Sequence, residues 1–151
     1  MASGEIIYPG KIGVPYEWSV GEYGSRFFYE LKEKRKIWAT RCSRCKKVFI
    51  PPRKSCPDCF VHIGEWLEVG PGGNLITFTI VRYSAQTHII SAPFAMGIIQ
   101  LDGSDTGLVH LIGGVDIEEI RSGMRVRPVF KEERKGNLLD IIYFTPLERT
   151  S

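Results

Sequence analysis

Four cysteines constrain this chain more than anything else in it. Cys42-Ser43-Arg44-Cys45 and Cys56-Pro57-Asp58-Cys59 form two Cys-x-x-Cys pairs ten residues apart, and together they use every cysteine among the 151 residues. A Cys-x-x-Cys turn lets two thiolates converge on one ion, and two facing turns complete a tetrahedral sulfur site closed to substrate. The spacing therefore predicts a structural zinc ribbon with Cys42, Cys45, Cys56 and Cys59 as metal ligands. Two disulfides or buried free thiols are the alternative, yet pairing this tight is an inefficient use of cysteine in so long a chain. An all-thiolate tetrahedral site accepts iron as well as zinc, and the Cys-Pro-x-Cys form of the second pair is rubredoxin-like, so both metals stay open.

A chain of this length can bury one sizeable core, or a small core plus a metal-stapled module, and the second fits the cysteines better. The net charge of +3 is too mild to imply nucleic acid or membrane by itself. What matters is its distribution. Lys32, Lys34, Arg35, Lys36, Arg41, Arg44, Lys46, Lys47, Arg53 and Lys54 crowd into and just before the ribbon, with Glu33 the one acid among them. Met1 to Glu5 shows no basic stretch leading into an apolar run, as a signal peptide would. The most apolar segment, Ile89 to Leu101, is interrupted by Ser91 and Pro93 and is too short to span a bilayer. The expectation is a cytoplasmic protein, in a reducing compartment that leaves thiolates to metal.

Residues 1–18 carry Pro9, Gly10, Gly13 and Pro15 among scattered apolar residues and read as an irregular arm. Its Tyr8, Tyr16 and Trp18 lead us to expect docking on its own domain rather than on a partner. Ser19 with Glu22 fits a capping box, and Tyr23, Phe27, Phe28 and Leu31 then recur at helical spacing through Lys36. Gly21 and Gly24 weaken that helix's first turn. Ile37 to Thr40 and Val48 to Ile50 read as the strands of a ribbon hairpin, ended by Pro51 and Pro52. Metal knuckles favour Gly after the second cysteine; here Lys46 and Phe60 take those places, and some local strain is expected.

From Trp66 the pattern turns to period two. Ile76, Phe78 and Ile80 alternate with Thr77, Thr79 and Val81 after Gly70-Pro71-Gly72-Gly73, a strand signal. Phe94 to Leu101 and Thr106 to Ile112 flank Asp102-Gly103-Ser104-Asp105 as a hairpin. Asp116 with Glu119 predicts a helix of about two turns closed by Gly123. Arg125 to Phe130 and Leu138 to Phe144 are two more strands. Three strands, a short helix and two strands is the plan of a five-stranded OB-fold barrel. The chain is thus expected to be mainly β: an arm and amphipathic helix over 1–36, the ribbon over 37–65 and the OB-fold over 66–151.

This order of parts resembles the acyl-CoA-associated proteins that have an N-terminal helix, a rubredoxin-like zinc ribbon and a C-terminal OB-fold. The residues that carry the likeness are Phe27-Phe28-Tyr29-Glu30-Leu31, Arg41-Cys42-Ser43-Arg44-Cys45, Phe49-Ile50-Pro51-Pro52-Arg53 and Cys56-Pro57-Asp58-Cys59. In the barrel they are Phe78-Thr79-Ile80-Val81, Pro93-Phe94 and Ser122-Gly123-Met124-Arg125-Val126. The resemblance implies a non-enzymatic accessory protein of acyl-CoA or lipid metabolism. Such a protein binds or channels acyl-CoA beside a thiolase or 3-hydroxy-3-methylglutaryl-CoA (HMG-CoA) synthase.

The residues themselves supply a chemical case for that ligand. CoA carries a pyrophosphate, a ribose phosphate, an adenine and an amphipathic pantetheine arm, so its host needs cations beside an apolar groove. Arg44, Lys46, Lys47, Arg53 and Lys54 are the candidate phosphate-binding residues, arginine being suited to forked phosphate contacts. The groove is expected between ribbon, helix and barrel. The competing reading is a single-stranded nucleic-acid-binding module, since OB barrels and basic ribbons both serve that purpose. The barrel strands, however, offer few aromatics beyond Tyr83 and Tyr143 as stacking platforms. Catalysis has little support: the thiols are committed to metal, and His62, His88 and His110 lie far apart in no catalytic motif. His88 draws the most interest, because it lies in the Ser84-to-Ser91 loop where ligands often reach OB-folds. Glu118/Glu119 and Glu132/Glu133 read as a helix first turn and a solvated loop. A rubredoxin-type electron carrier stays open if the metal is iron.

Overall fold

The computed structural model describes residues 4–147. Helix α1 (Gly21–Lys34) leads into strands β1 (Ile37–Arg41), β2 (Val48–Phe49) and β3 (Glu65–Val69). Strands β4 (Gly73–Val81), β5 (Phe94–Leu101), β6 (Leu108–Ile112), β7 (Arg125–Phe130) and β8 (Ile141–Pro146) follow. β1 pairs antiparallel with β2 on one side and β3 on the other. The last five strands close a barrel in the order β4-β5-β6-β8-β7. The mainly β fold with its N-terminal helix and five-stranded barrel is therefore as expected. No helix among the described residues is long and apolar enough to cross a membrane.

Helix α1 buries Phe27, Glu30 and Leu31 on one face, the spacing expected of an amphipathic helix. Its start differs from the expected capping box. Val20 is the N-cap without a side-chain bond, and Ser19 Oγ instead accepts the N–H of Gly21 at 3.1 Å. Gly21 takes φ of +72°, and the helix begins one residue later than the Ser19/Glu22 reading places it. At the other end Arg35 adopts a left-handed cap, with Lys32 and Lys34 in the last turn where the helix dipole favours them.

One continuous apolar core runs through all three parts. Phe27 and Leu31 of α1, Ile37, Ala39, Val48 and Ile50 of the ribbon side, and Leu75, Ile99, Leu101, Ile141 and Phe144 of the barrel share it. Polar bonds bind ribbon to barrel at the same place. Val48 donates to Asp105 Oδ2 (2.7 Å) and accepts from Asp105 N–H (2.9 Å), while Ile50 N–H donates to Thr106 Oγ1 (2.8 Å). The barrel's β5–β6 turn thus covers the outer edge of β2.

Two expectations need correction in the barrel. Ile76 does not face inward with Phe78, because the β4–β5 register shifts between Leu75 and Thr77. The extra residue of this bulge leaves Ile76 exposed and lets Leu75, completely buried, take the inward place. The helix expected after Asp116 is a single 3₁₀ turn, Ile117–Glu119, capped by Asp116 accepting from Glu118 N–H at 3.0 Å. It does lie between the third and fourth barrel strands.

The arm is the larger correction. Expected to dock on its own domain, it lies open: Ile6, Ile7, Tyr8, Ile12, Val14, Tyr16 and Trp18 are between 66% and 91% exposed. Only its base, Trp18 to Val20, meets the body of the protein, beside α1. Prolines and glycines spaced through the segment keep it from folding into an element that could pack as a unit.

Candidate metal centre and the groove beside it

The two cysteine turns are built alike. In the first, Lys46 N–H donates to Cys42 C=O (3.0 Å) and Cys42 N–H to Lys47 C=O (2.9 Å). In the second, Phe60 N–H donates to Cys56 C=O (3.0 Å) and Cys56 N–H to Val61 C=O (2.9 Å). Each turn closes through a left-handed residue, Lys46 at φ +65° and Phe60 at φ +55°. These are the places where strain was expected for want of glycine.

The turns bring all four Sγ atoms within 4.8 Å of one another. Cys45 Sγ and Cys56 Sγ lie 3.7 Å apart, and all four thiols are free. A disulfide would need about 2.05 Å. The observed separation matches instead the edge of about 3.8 Å that a tetrahedron with metal–sulfur bonds of about 2.3 Å requires. Cys42 and Cys56 are buried with Phe49 and Ile63 in a small core of their own, while Cys45 and Cys59 sit nearer the surface. Backbone N–H groups, that of Cys45 foremost, hold the Cys42 thiol down at about 6. Burial first, then the neighbouring thiols, push Cys59 up to about 12. A closed set of four sulfurs in these surroundings suits one tetrahedral metal ion and leaves no open position for a reactant.

The five candidate phosphate-binding residues are all exposed on this ribbon. Lys47 is engaged, its Nζ lying 2.6 Å from Asp58 Oδ2 across the two knuckles, which raises its pKa. Arg44, Lys46, Arg53 and Lys54 form no ion pair among the described residues. Arg53 reaches over the ring of Phe49 at 5.6 Å, and its backbone exchanges two bonds with Thr40 Oγ1, at 2.8 and 3.0 Å. Directly before it, Pro51 and Pro52 form one wall of a groove of about 330 Å³. Gly24, Phe27 and Phe28 of α1 make the second wall, and Leu138 of the barrel and Trp18 of the arm complete it. The expected groove between ribbon, helix and barrel is present.

Two features go beyond the sequence reading, which pointed to the second only through His88 and its loop. On the far side of α1, Arg26 stacks over Trp66 (4.3 Å) and Trp38 (5.6 Å), Tyr23 packs on Trp66 (4.9 Å), and Tyr23 Oη donates to Ile63 C=O. Scattered over forty residues of sequence, these side chains carry no local signal of their meeting. The second is an apolar cavity of about 250 Å³ in the barrel wall, lined by His88, Phe94, Met96, His110 and Leu139 among others. His110 is buried and satisfied: Nδ1 accepts from Leu111 N–H (2.8 Å) and Nε2 faces Leu138 C=O (3.1 Å). That pair of bonds suits the neutral ring, and burial lowers its pKa. His88 packs edge-on against Phe94 and faces Ala85 N–H through Nδ1 (3.3 Å). His62 stands apart, beside Tyr23 Oη at 3.4 Å.

Comparison with known proteins bears on this architecture part by part. Residues 30–63 match the family model for the ChsH2 rubredoxin-like zinc ribbon domain, and residues 66–131 that for the ChsH2 C-terminal OB-fold domain. A curated relative from Pyrococcus furiosus, a DUF35 domain-containing scaffold protein, is 30% identical over 111 residues, covering 74% of this chain and 80% of its own. The chain belongs to the DUF35 family. A solved DUF35 protein of unknown function from Sulfolobus solfataricus shares 25% identity and a TM-score of 0.60, over 72% of this chain and 78% of its own. The structure described as Ltp2-ChsH2(DUF35) aldolase matches over 86% of this chain and 98% of its own. Its TM-score is 0.65 at 20% identity, a likeness of fold. The family thus accounts for ribbon and barrel together, and its two matched segments leave the arm outside them.

Proposed function

We propose that this DUF35 protein is a non-catalytic scaffold that binds acyl-CoA and works beside an enzyme of thiolase or HMG-CoA-synthase type. The observation that carries the reading is the groove between α1, the proline pair and Leu138, with Arg53 following Pro52 and Arg44, Lys46 and Lys54 unpaired on the same ribbon. An apolar channel suits pantetheine, and unpaired cations on the ribbon, of which Arg53 directly follows the groove-lining Pro52, suit the phosphates. The scaffold half draws support from the name of the Pyrococcus relative. It also fits the chemistry of the site: the thiols are gathered into one closed set, and both ring nitrogens of His110 are engaged within the fold. The ion that the ribbon holds is proposed to be zinc, in a structural role.

Calorimetric titration with acetyl-CoA tests the reading. The expected result is one-to-one binding that weakens as salt rises, with Arg44→Ala/Arg53→Ala losing about tenfold or more in affinity through missing charge-assisted bonds. Binding of a fluorescent single-stranded oligonucleotide with no response to acetyl-CoA would contradict it and favour the nucleic-acid reading.

A further inference from the structure

The exposed arm has a regularity that its prolines and glycines obscure. Ile6, Tyr8, Ile12, Val14, Tyr16, Trp18 and Val20 all stand at even positions, with Gly10 filling the one gap. The charged residues Glu5, Lys11 and Glu17 all stand at odd positions, as do Pro9, Gly13, Pro15 and Ser19; Ile7 is the one apolar side chain out of step. Alternation over so long a run is the pattern of a strand with one apolar and one wetted face. The backbone is compatible with it, since no residue from 4 to 20 has positive φ. Tyr16 and Trp18, two residues apart, pack ring to ring at 5.3 Å, as side chains on one face of an extended segment do.

The prolines add an independent restriction. Along a strand, N–H and C=O groups point to alternate sides, so residues of one parity address one neighbour. Pro9 and Pro15 both fall on the odd side, which leaves every even N–H free to pair with a sheet edge on that side while the odd side faces solvent. The arm forms no strand in the free protein, and its sequence is that of a segment able to pair as one on one side only.

Among the described residues no free edge matches it in length. β2 is two residues long with its outer edge covered by Asp105 and Thr106, β3 offers five residues, and β4, which pairs with β7 only at Gly73 and Asn74, offers seven, to an arm of sixteen. The same mismatch applies to the body of a second copy, and pairing of one arm with another is the dimer that the test below detects. We infer that residues 5–20 add as an edge strand to the free sheet edge of the enzyme this protein serves, with the even side chains seated in apolar pockets at two-residue spacing. The inference rests on the scaffold reading for that enzyme's existence.

Two glycines of opposite parity provide the test. A Cβ at Gly10 or Gly13 meets nothing within 4 Å, so proline at either leaves the free protein's fold alone, yet only Gly10→Pro removes an N–H from the pairing side. Full-length tagged protein is purified from its native host, the co-purifying acyl-CoA enzyme identified by mass spectrometry, and its affinity for each variant measured. Gly10→Pro and Val14→Ser are expected to weaken binding about tenfold or more, and Gly13→Pro and Glu17→Ser to leave it within about twofold. Full affinity after deletion of residues 1–19, losses that ignore parity, or a dimer of the pure chain that Gly10→Pro dissolves would each overturn the arm's role alone. Absence of any acyl-CoA enzyme from the purified material would overturn the scaffold reading and this inference with it.

Discussion

Lys46 and Phe60 are each held at positive φ because a knuckle needs the backbone N–H at that place turned back toward its cysteine carbonyl. A side chain there costs about 1 kcal/mol or more relative to glycine. Phe60 is 88% exposed, so its ring returns little in packing. Phe60→Gly is therefore expected to raise stability by about 1 kcal/mol, read as a higher denaturant midpoint at unchanged slope. His110 is the other residue whose cost can be measured. In the unfolded chain its imidazole takes up a proton near pH 6.5, whereas burial holds the folded ring below that value. Protonation would also set an N–H at Nδ1 against the N–H of Leu111. The unfolded state thus binds more protons below about pH 6.5, and stability falls as pH drops through that window. His110→Gln is expected to remove this fall, checked by thermal melts between pH 7.5 and 5 on an experimental scale of about half-unit steps.

At the scale of elements, close approach decides what the barrel tolerates. Gly97 of β5 faces inward, and a Cβ on it would lie 2.4 Å from Leu75 Cδ1 and 3.1 Å from Thr77 C=O. Gly97→Ala is expected to destabilise the protein by about 1–3 kcal/mol, seen in the same denaturation experiment. The elements themselves were legible wherever a local pattern carried them: the cysteine spacing for the knuckles, the Asp102-Gly103-Ser104-Asp105 turn for the β5–β6 hairpin, helical spacing for Phe27 and Leu31. What escaped was set by partners distant in the chain. The β4 bulge depends on its register with β5, the Arg26–Trp38–Trp66 stack on the docking of α1, and the short turn after Asp116 on how soon β7 must rejoin Gly73. The arm was misread for a related reason. Its aromatic content suggested docking, but content says nothing of what is docked upon, and the proline parity that speaks to that shows only when the segment is read as a strand.

For the whole molecule, ribbon, helix and barrel are not independent parts. The apolar core passes through all three, and the turn after β5 holds the ribbon edge with four hydrogen bonds. The ribbon's own core is Cys42, Phe49, Cys56 and Ile63, too small to hold two knuckles together without an ion across its sulfurs. We propose that an ion bound by the four sulfurs, together with the bonds of Ile50 to Thr106 and of Arg53 to Thr40, fixes Pro51, Pro52 and Arg53 and so the wall of the groove. Native mass spectrometry of protein purified without chelator tests this coupling most directly. The account predicts a chain carrying one zinc and able to retain acetyl-CoA, both lost together on chelation. A metal-free chain lighter by four hydrogens, its sulfurs joined as two disulfides and its acetyl-CoA still bound, would contradict it.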